Sequence, residues 1–217
     1  MHHSFLSWRR LGLALLLSLI APWTQAESIG LTISAESAEF SYGTGGDYTD
    51  LIDWGASIFY NSIEAEDGQT TGHAMVTLNM ETALEGDSSS RMLFALGGEI
   101  YLLTLDRISA ANEGKETETD ANAAGISLSG KIGYLFPTTV PSVAYVSGHI
   151  SPNIINTGKV ETMRRFSAMY ELSLSQAAIF QLGYRNYYAG FDQRYDHLGK
   201  QGKTFENNVV GGIKLRF

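Results

Sequence analysis

Ile126-Ser127-Leu128-Ser129-Gly130-Lys131-Ile132-Gly133-Tyr134-Leu135-Phe136 alternates apolar and polar side chains with period two. Ile126, Leu128, Ile132, Tyr134 and Phe136 fall on one face, and Ser127, Ser129 and Lys131 on the other. Successive side chains of a strand point to opposite sides, so the stretch predicts a strand with one apolar and one polar face. The pattern recurs in both directions along the chain. Phe166, Ala168, Tyr170, Leu172 and Leu174 oppose Arg165, Ser167, Glu171 and Ser173. Phe180, Leu182, Tyr184 and Tyr188 oppose Gln181 and Arg185, and Val209, Ile213, Leu215 and Phe217 oppose Asn208, Lys214 and Arg216. Toward the N-terminus, Trp54, Ala56, Ile58 and Tyr60 oppose Asp53 and Ser57, and Val76, Leu78 and Met80 oppose Thr77, Asn79 and Glu81. Between Met92 and Leu105 both faces are apolar except at Glu99, which leaves that strand's orientation open.

A soluble sandwich alternates in the same way with its apolar faces inward. Here the polar faces carry both signs of charge, and a membrane barrel satisfies such groups against one another in its lumen. Glu99, Lys131, Arg165, Glu171 and Arg185 are therefore the expected lumen charge network. Trp54, Tyr60, Tyr134, Phe136, Tyr188 and Phe217 sit toward strand ends, where aromatic girdles belong. The connections also alternate in expected length. Asn61–Thr71, Asp106–Asn122, His149–Lys159 and Ala189–Glu206 read as long; Glu85–Ser90, Pro137–Pro141 and Ser175–Ala177 read as short. Surface loops and periplasmic turns of outer-membrane barrels keep that parity. The chain is thus predicted to be all-β, an antiparallel transmembrane β-barrel of about ten strands with eight as the alternative. Ser34–Ser37 is expected to be a tight hairpin or a bulge. A soluble periplasmic β-protein is the competing reading.

The chain begins with Arg9 and Arg10, then an apolar stretch from Leu11 to Ile20, then Thr24-Gln25-Ala26. A basic start, a short apolar run and a small-residue exit predict a cleaved secretory signal peptide over 1–26, leaving 27–217 as the barrel. No Cys is present, which excludes a disulfide framework and thiolate metal sites. Without Arg9 and Arg10, 13 of the 15 basic side chains remain against 23 acidic ones, a net charge of −10. That balance argues against nucleic acid as a partner.

The C-terminus, Gly212-Ile213-Lys214-Leu215-Arg216-Phe217, resembles the signal read by the outer-membrane barrel assembly machinery. Gly212, Leu215 and Phe217 match it; Gly211 stands where a larger polar residue is usual. Gly130–Phe136, Tyr145–Pro152, Arg165–Glu171, Leu182–Tyr188 and Val209–Phe217 resemble the YfaZ family of small outer-membrane proteins. Ser151-Pro152 and Gly183-Tyr184-Arg185 carry most of that likeness, which covers roughly the C-terminal half. The resemblance implies a barrel, no cofactor and no established activity. Lipid and lipopolysaccharide are the partners expected of such a protein.

One constellation has the form of a catalytic pair. His149 and Ser151, two apart on a strand, share a face and resemble the His-x-Ser of lipid A deacylases, with Glu161 as the nearest orienting carboxylate. Pro152 and the pair Ile154 and Ile155 depart from that pattern. A loop His and a turn Ser before proline is the plainer reading, so no enzyme is expected. His73 and His197 stand alone, and the acidic loops lack the spacing of a calcium loop. With about ten strands and opposed lumen charges, the expected function is that of a closed or narrow-lumen barrel with a structural or minor channel role.

Overall fold

The computed structural model describes residues 28–44, 52–64, 70–83, 91–112, 115–152, 156–158, 160–191 and 202–217. The expected signal peptide lies outside them. Eleven antiparallel strands follow one another: β1 (Ser28–Ile33), β2 (Ser37–Gly43), β3 (Ile52–Glu64), β4 (Thr70–Ala83), β5 (Met92–Asn112), β6 (Lys115–Phe136), β7 (Ser142–Ser151), β8 (Asn156–Gly158), β9 (Val160–Ser173), β10 (Ala178–Phe191) and β11 (Gly202–Arg216). There is no helix among the described residues.

Ten of these strands form a closed ring. Each pairs with its neighbour in sequence, β7 pairs with β9, and β1 pairs with β11 to close the circle. Short β8 pairs with β6 at Ala123–Gly125, in the row that β7 vacates after Ser151. At the level of β1 and β2 the ring leaves no strand edge open. The register fixes its shape. From Leu135 on β6 the partners run through Val143, Glu171, Gln181, Gly212, Thr32, Glu39, Phe59, Met75 and Leu103, and return to β6 at Ala123, twelve residues away. Twelve residues of stagger over ten strands correspond to a strand tilt of roughly 40° and a backbone radius of roughly 10 Å.

The side-chain distribution is the reverse of a soluble protein's. Leu128 is 68% exposed, Ile150 59% and Leu102 58%, while Glu99 and Arg185 are each 3% exposed. Burying charge and exposing leucine is costly in water and favourable for a wall that meets hydrocarbon. Toward the end that holds Ser28 and Phe217, Tyr134 stacks edge-on against Phe136 at 5.2 Å and Phe136 against Tyr170 at 6.2 Å. These rings lie on the exterior, as expected of a girdle. Met92–Leu105 also resolves: Glu99, Tyr101, Leu103 and Leu105 point inward, and Leu96, Ile100 and Leu102 outward.

Three sequence expectations need correction. The acidic stretch Asp106–Asn122 is not a long loop. β5 and β6 continue as one ladder to Asn112↔Lys115, with a register shift after Leu105, because Thr117 and Thr119 alternate with Glu116 and Glu118 at strand spacing. Likewise β7 runs to Ser151, β10 to Phe191, and β11 starts at Gly202, so the expected loops there are shorter. The alternation in connection length is correspondingly weaker: the extra length at the end opposite the termini is carried by projecting strands. At Ser34–Ser37 the chain makes the tight hairpin. Ser34 N donates to Ser37 O at 2.8 Å, and Ser34 Oγ accepts from Glu36 N and Ser37 N.

Candidate functional site

The lumen is layered, and each layer follows from which inward positions of a strand are charged or apolar. The layers succeed one another from the end that holds Ser28 and Phe217 toward the opposite, loop end. Nearest the termini is a polar chamber of about 240 Å³. Across it Lys131 Nζ meets Glu81 at 2.5 Å, and Lys131 also lies over the ring of Tyr145. Glu171 accepts from Tyr145 Oη at 3.0 Å and from Gln181 Nε2 at 2.7 Å.

Above the chamber lies a belt of charge. Arg165 on β9 pairs with Glu99 on β5, and Arg185 on β10 pairs with Glu39 on β2. Both pairs span the lumen between strands that are not neighbours. Ser127 Oγ adds a bond to Glu99 at 3.2 Å, and Arg165 donates to His149 Nδ1 at 3.1 Å. Each buried charge thus has an opposite partner and further polar contacts, which is what burial of ions requires.

Beyond the belt the inward positions turn apolar on strand after strand. On β5 Glu99 is followed by Tyr101, Leu103 and Leu105; on β10 Arg185 is followed by Tyr187 and Ala189; on β9 Met163 precedes Arg165. Phe59, Met75 and Phe205 join them in a packed plug. Phe59 lies 5.2 Å from Tyr187 and 6.1 Å from Phe205, and Tyr187 lies 5.9 Å from Phe205. Both belt guanidiniums stand over Tyr187, Arg165 at 5.4 Å and Arg185 at 5.7 Å, so the ring joins the plug to the belt. The plug occupies the lumen toward the loop end.

The five residues expected to form a lumen network all line this interior, with partners that sequence reading left unassigned: Glu81 for Lys131 and Glu39 for Arg185. His149 and Ser151 share a face as expected, yet they do not form a dyad. His149 was expected to open the loop His149–Lys159; it points instead into the charge belt, because β7 continues past it with Ser129 and Arg165 as its register partners. Ser151 Oγ donates to Ile126 O at 2.7 Å, contacts Asn156 and accepts from Tyr101 Oη at 3.3 Å. Glu161 enters this group through its backbone carbonyl, which accepts from Asn156. His73 lies within the plug, 6.3 Å from Phe205. His197 lies outside the described residues.

Sequence reading missed Glu39, Glu206 and the plug aromatics. The signal for the plug is the break in alternation at Ile58-Phe59-Tyr60, Met75-Val76, Leu102-Leu103 and Tyr187-Tyr188, where two neighbouring apolar residues put one of them in the lumen.

At the closing seam, Gly212 pairs with Thr32, and a Cβ there would press on the Leu31 carbonyl and on Thr32. Leu215 and Phe217 face outward, at 45% and 76% exposure. Phe217→Ala should therefore leave refolding in detergent unchanged, within about 0.5 kcal/mol, while lowering the amount of folded barrel recovered from cell membranes several-fold. Gly212→Val should impair both. Equal recovery of Phe217→Ala and parent from cells would remove Phe217 from the assembly signal.

No family model matches the chain, and no curated protein matches it. Among solved structures, the outer membrane channel DcaP of Acinetobacter baumannii matches with a TM-score of 0.34 and 10% identity. The alignment covers 87% of this chain and 54% of that one, so this chain spans about half the channel's length. At that level of likeness no property of the channel passes to this chain.

Proposed function

We propose that this chain is an integral outer-membrane barrel of the YfaZ kind, closed to solutes and serving a structural or surface role. In this reading residues 1–26 are a leader removed on export, and the barrel assembly machinery inserts 27–217. Lipid and lipopolysaccharide surround it. The chain termini and the polar chamber face the periplasm, and the projecting β5–β6 hairpin faces outward.

The inverted wall carries the reading. Leucine, isoleucine and aromatic side chains cover the outside, while paired arginines and glutamates fill the inside. Exposed apolar surface on that scale marks contact with a membrane or another protein, and the closed ring is one of the two architectures able to span hydrocarbon. The plug supports the closed state, since its rings fill the lumen across the loop end. The arrangement around His149 and Ser151 favours no hydrolytic role, because Ser151 is engaged by Ile126, Asn156 and Tyr101.

Two measurements test this. The protein should stay with outer membranes through a urea wash and should migrate differently in gels before and after boiling; release into the wash defeats the membrane reading. Purified protein in planar bilayers should give no current steps above baseline; regular steps from the parent chain would replace the closed barrel with a channel.

A further inference from the structure

We propose that the apolar half of the lumen is a binding site for one acyl chain of a surrounding lipid, entered sideways through the wall above the β1–β2 hairpin. The proposal rests on the membrane reading of the barrel.

The wall is incomplete at that place. β1 pairs with β11 from Ser28↔Arg216 to Ile33↔Gly211, and β2 pairs with β3 from Gly43↔Gly55 to Ser37↔Asn61. Beyond the Ser34–Ser37 turn β11 continues to Gly202 and β3 to Glu64. Among the described residues no ladder joins those two extensions. Two strands that complete the ring below are absent at this level, so no backbone hydrogen bonds hold the two extensions together.

Side chains close the gap instead. The register of β10 against β11 shifts so that Tyr187 faces Glu206 and Tyr188 faces Thr204. The extra residue is Phe205, and this bulge buries both Phe205 and Glu206, two consecutive side chains. Glu206 accepts from Ser37 Oγ at 2.9 Å and from Asn61 Nδ2 at 3.1 Å, which clasps β11 to β2 and β3. The clasp is imperfect: Asn61 is fully buried, and its Oδ1 has no hydrogen-bond partner.

What lies on either side fits a hydrocarbon occupant. Behind the clasp are Phe59, Met75, Leu103 and Leu105. In front, the flanking wall presents Ile33 at 55% exposure and Val209 at 68%. Barrel lumens in membranes are ordinarily polar and wetted; here an apolar interior is divided from an apolar exterior by one ring and one three-residue clasp. Outward movement of the bulge takes Phe205 from its slot, and an acyl chain replaces it.

The test uses tryptophan fluorescence in vesicles of phosphatidylcholine with brominated acyl chains. In a Trp54→Phe background of the exported chain, Phe59→Trp reports the space behind the clasp and Tyr60→Trp reports the lipid-facing wall. Leu103→Trp, on another part of the wall, is a second inner reporter should Phe59→Trp fail to fold. The proposal expects the inner reporter to be quenched at least half as strongly as Tyr60→Trp. Joining an added Asn61→Cys/Glu206→Cys pair with a short bismaleimide, in a chain with no other cysteine, should abolish inner quenching, and the same pair left unjoined should keep it. Quenching of Tyr60→Trp alone overturns the acyl-chain site and leaves the membrane barrel standing. Inner quenching that ignores the cross-link overturns entry at the clasp. If Tyr60→Trp itself escapes quenching, the membrane reading fails as well.

Discussion

Replacing Phe59 and Phe205 together by alanine should turn a silent barrel into a conducting one. The two rings and Tyr187 form a three-way contact across the loop end of the lumen, and all three side chains are buried. Truncating both removes most of that contact from one side, and the remaining apolar wall cannot collapse far because the ladders fix its radius. Below the plug, the belt and the 240 Å³ chamber are polar, so water entering from the loop end meets groups that it can solvate. Steps should appear in planar bilayers under conditions in which the parent is expected to give none. Ion selectivity should be weak, since Arg165 and Arg185 stand against Glu99 and Glu39. Each truncation costs about 3–5 kcal/mol of stability, so the folded fraction must first be established from gel mobility. Phe59→Leu/Phe205→Leu, which keeps apolar volume, should remain silent. A folded double-alanine variant without conductance would show that the plug is not what closes the lumen.

Arg165→Met should be the most destabilising single change of a charge. It leaves Glu99, 3% exposed, with the hydroxyl of Ser127 and no cation at Arg165's position, and it removes the donor to His149. Breaking one side of a buried pair costs about 3–5 kcal/mol. With a urea slope of about 1–3 kcal/mol per molar, the unfolding midpoint in vesicles should fall by roughly 1–5 M. Adding Glu99→Gln to Arg165→Met should recover more than half of the loss, because replacing both members of a buried pair is far milder than orphaning one. Arg164→Met, on the exposed side of the same strand, should change stability by no more than about 0.5 kcal/mol. Equal effects of Arg164→Met and Arg165→Met would show that the belt contributes nothing specific.

The wall of this barrel was readable in the sequence because strand alternation is a local property. Ile126–Phe136 states its two faces without reference to any other segment, and so do Phe166–Leu174 and Val209–Phe217. The charges facing the lumen were readable for the same reason. Their partners were not. Arg185 meets Glu39 across 146 residues of chain, and nothing near either residue records the other. The bulge at Phe205 was hidden as well, because one extra residue reverses the inward-outward count for everything beyond it, so Glu206 read as part of a polar loop. Acidity misled at Glu116–Asp120, where charge pointed to a loop and spacing to a strand; the ladder with β5 followed the spacing.

The seam between β1 and β11 also governs timing. Ser28 pairs with Arg216, so the contact that completes the ring joins the first described strand to the last. Closure of so long a loop is slow, and no partial chain can achieve it. Synthesis from the N-terminus yields β1 early and its partner last, and until Gly211–Arg216 emerges, β1 lacks the strand that closes the circle. A chain that stops short of β11 leaves β1 and β10 as two raw edges and no closed ring.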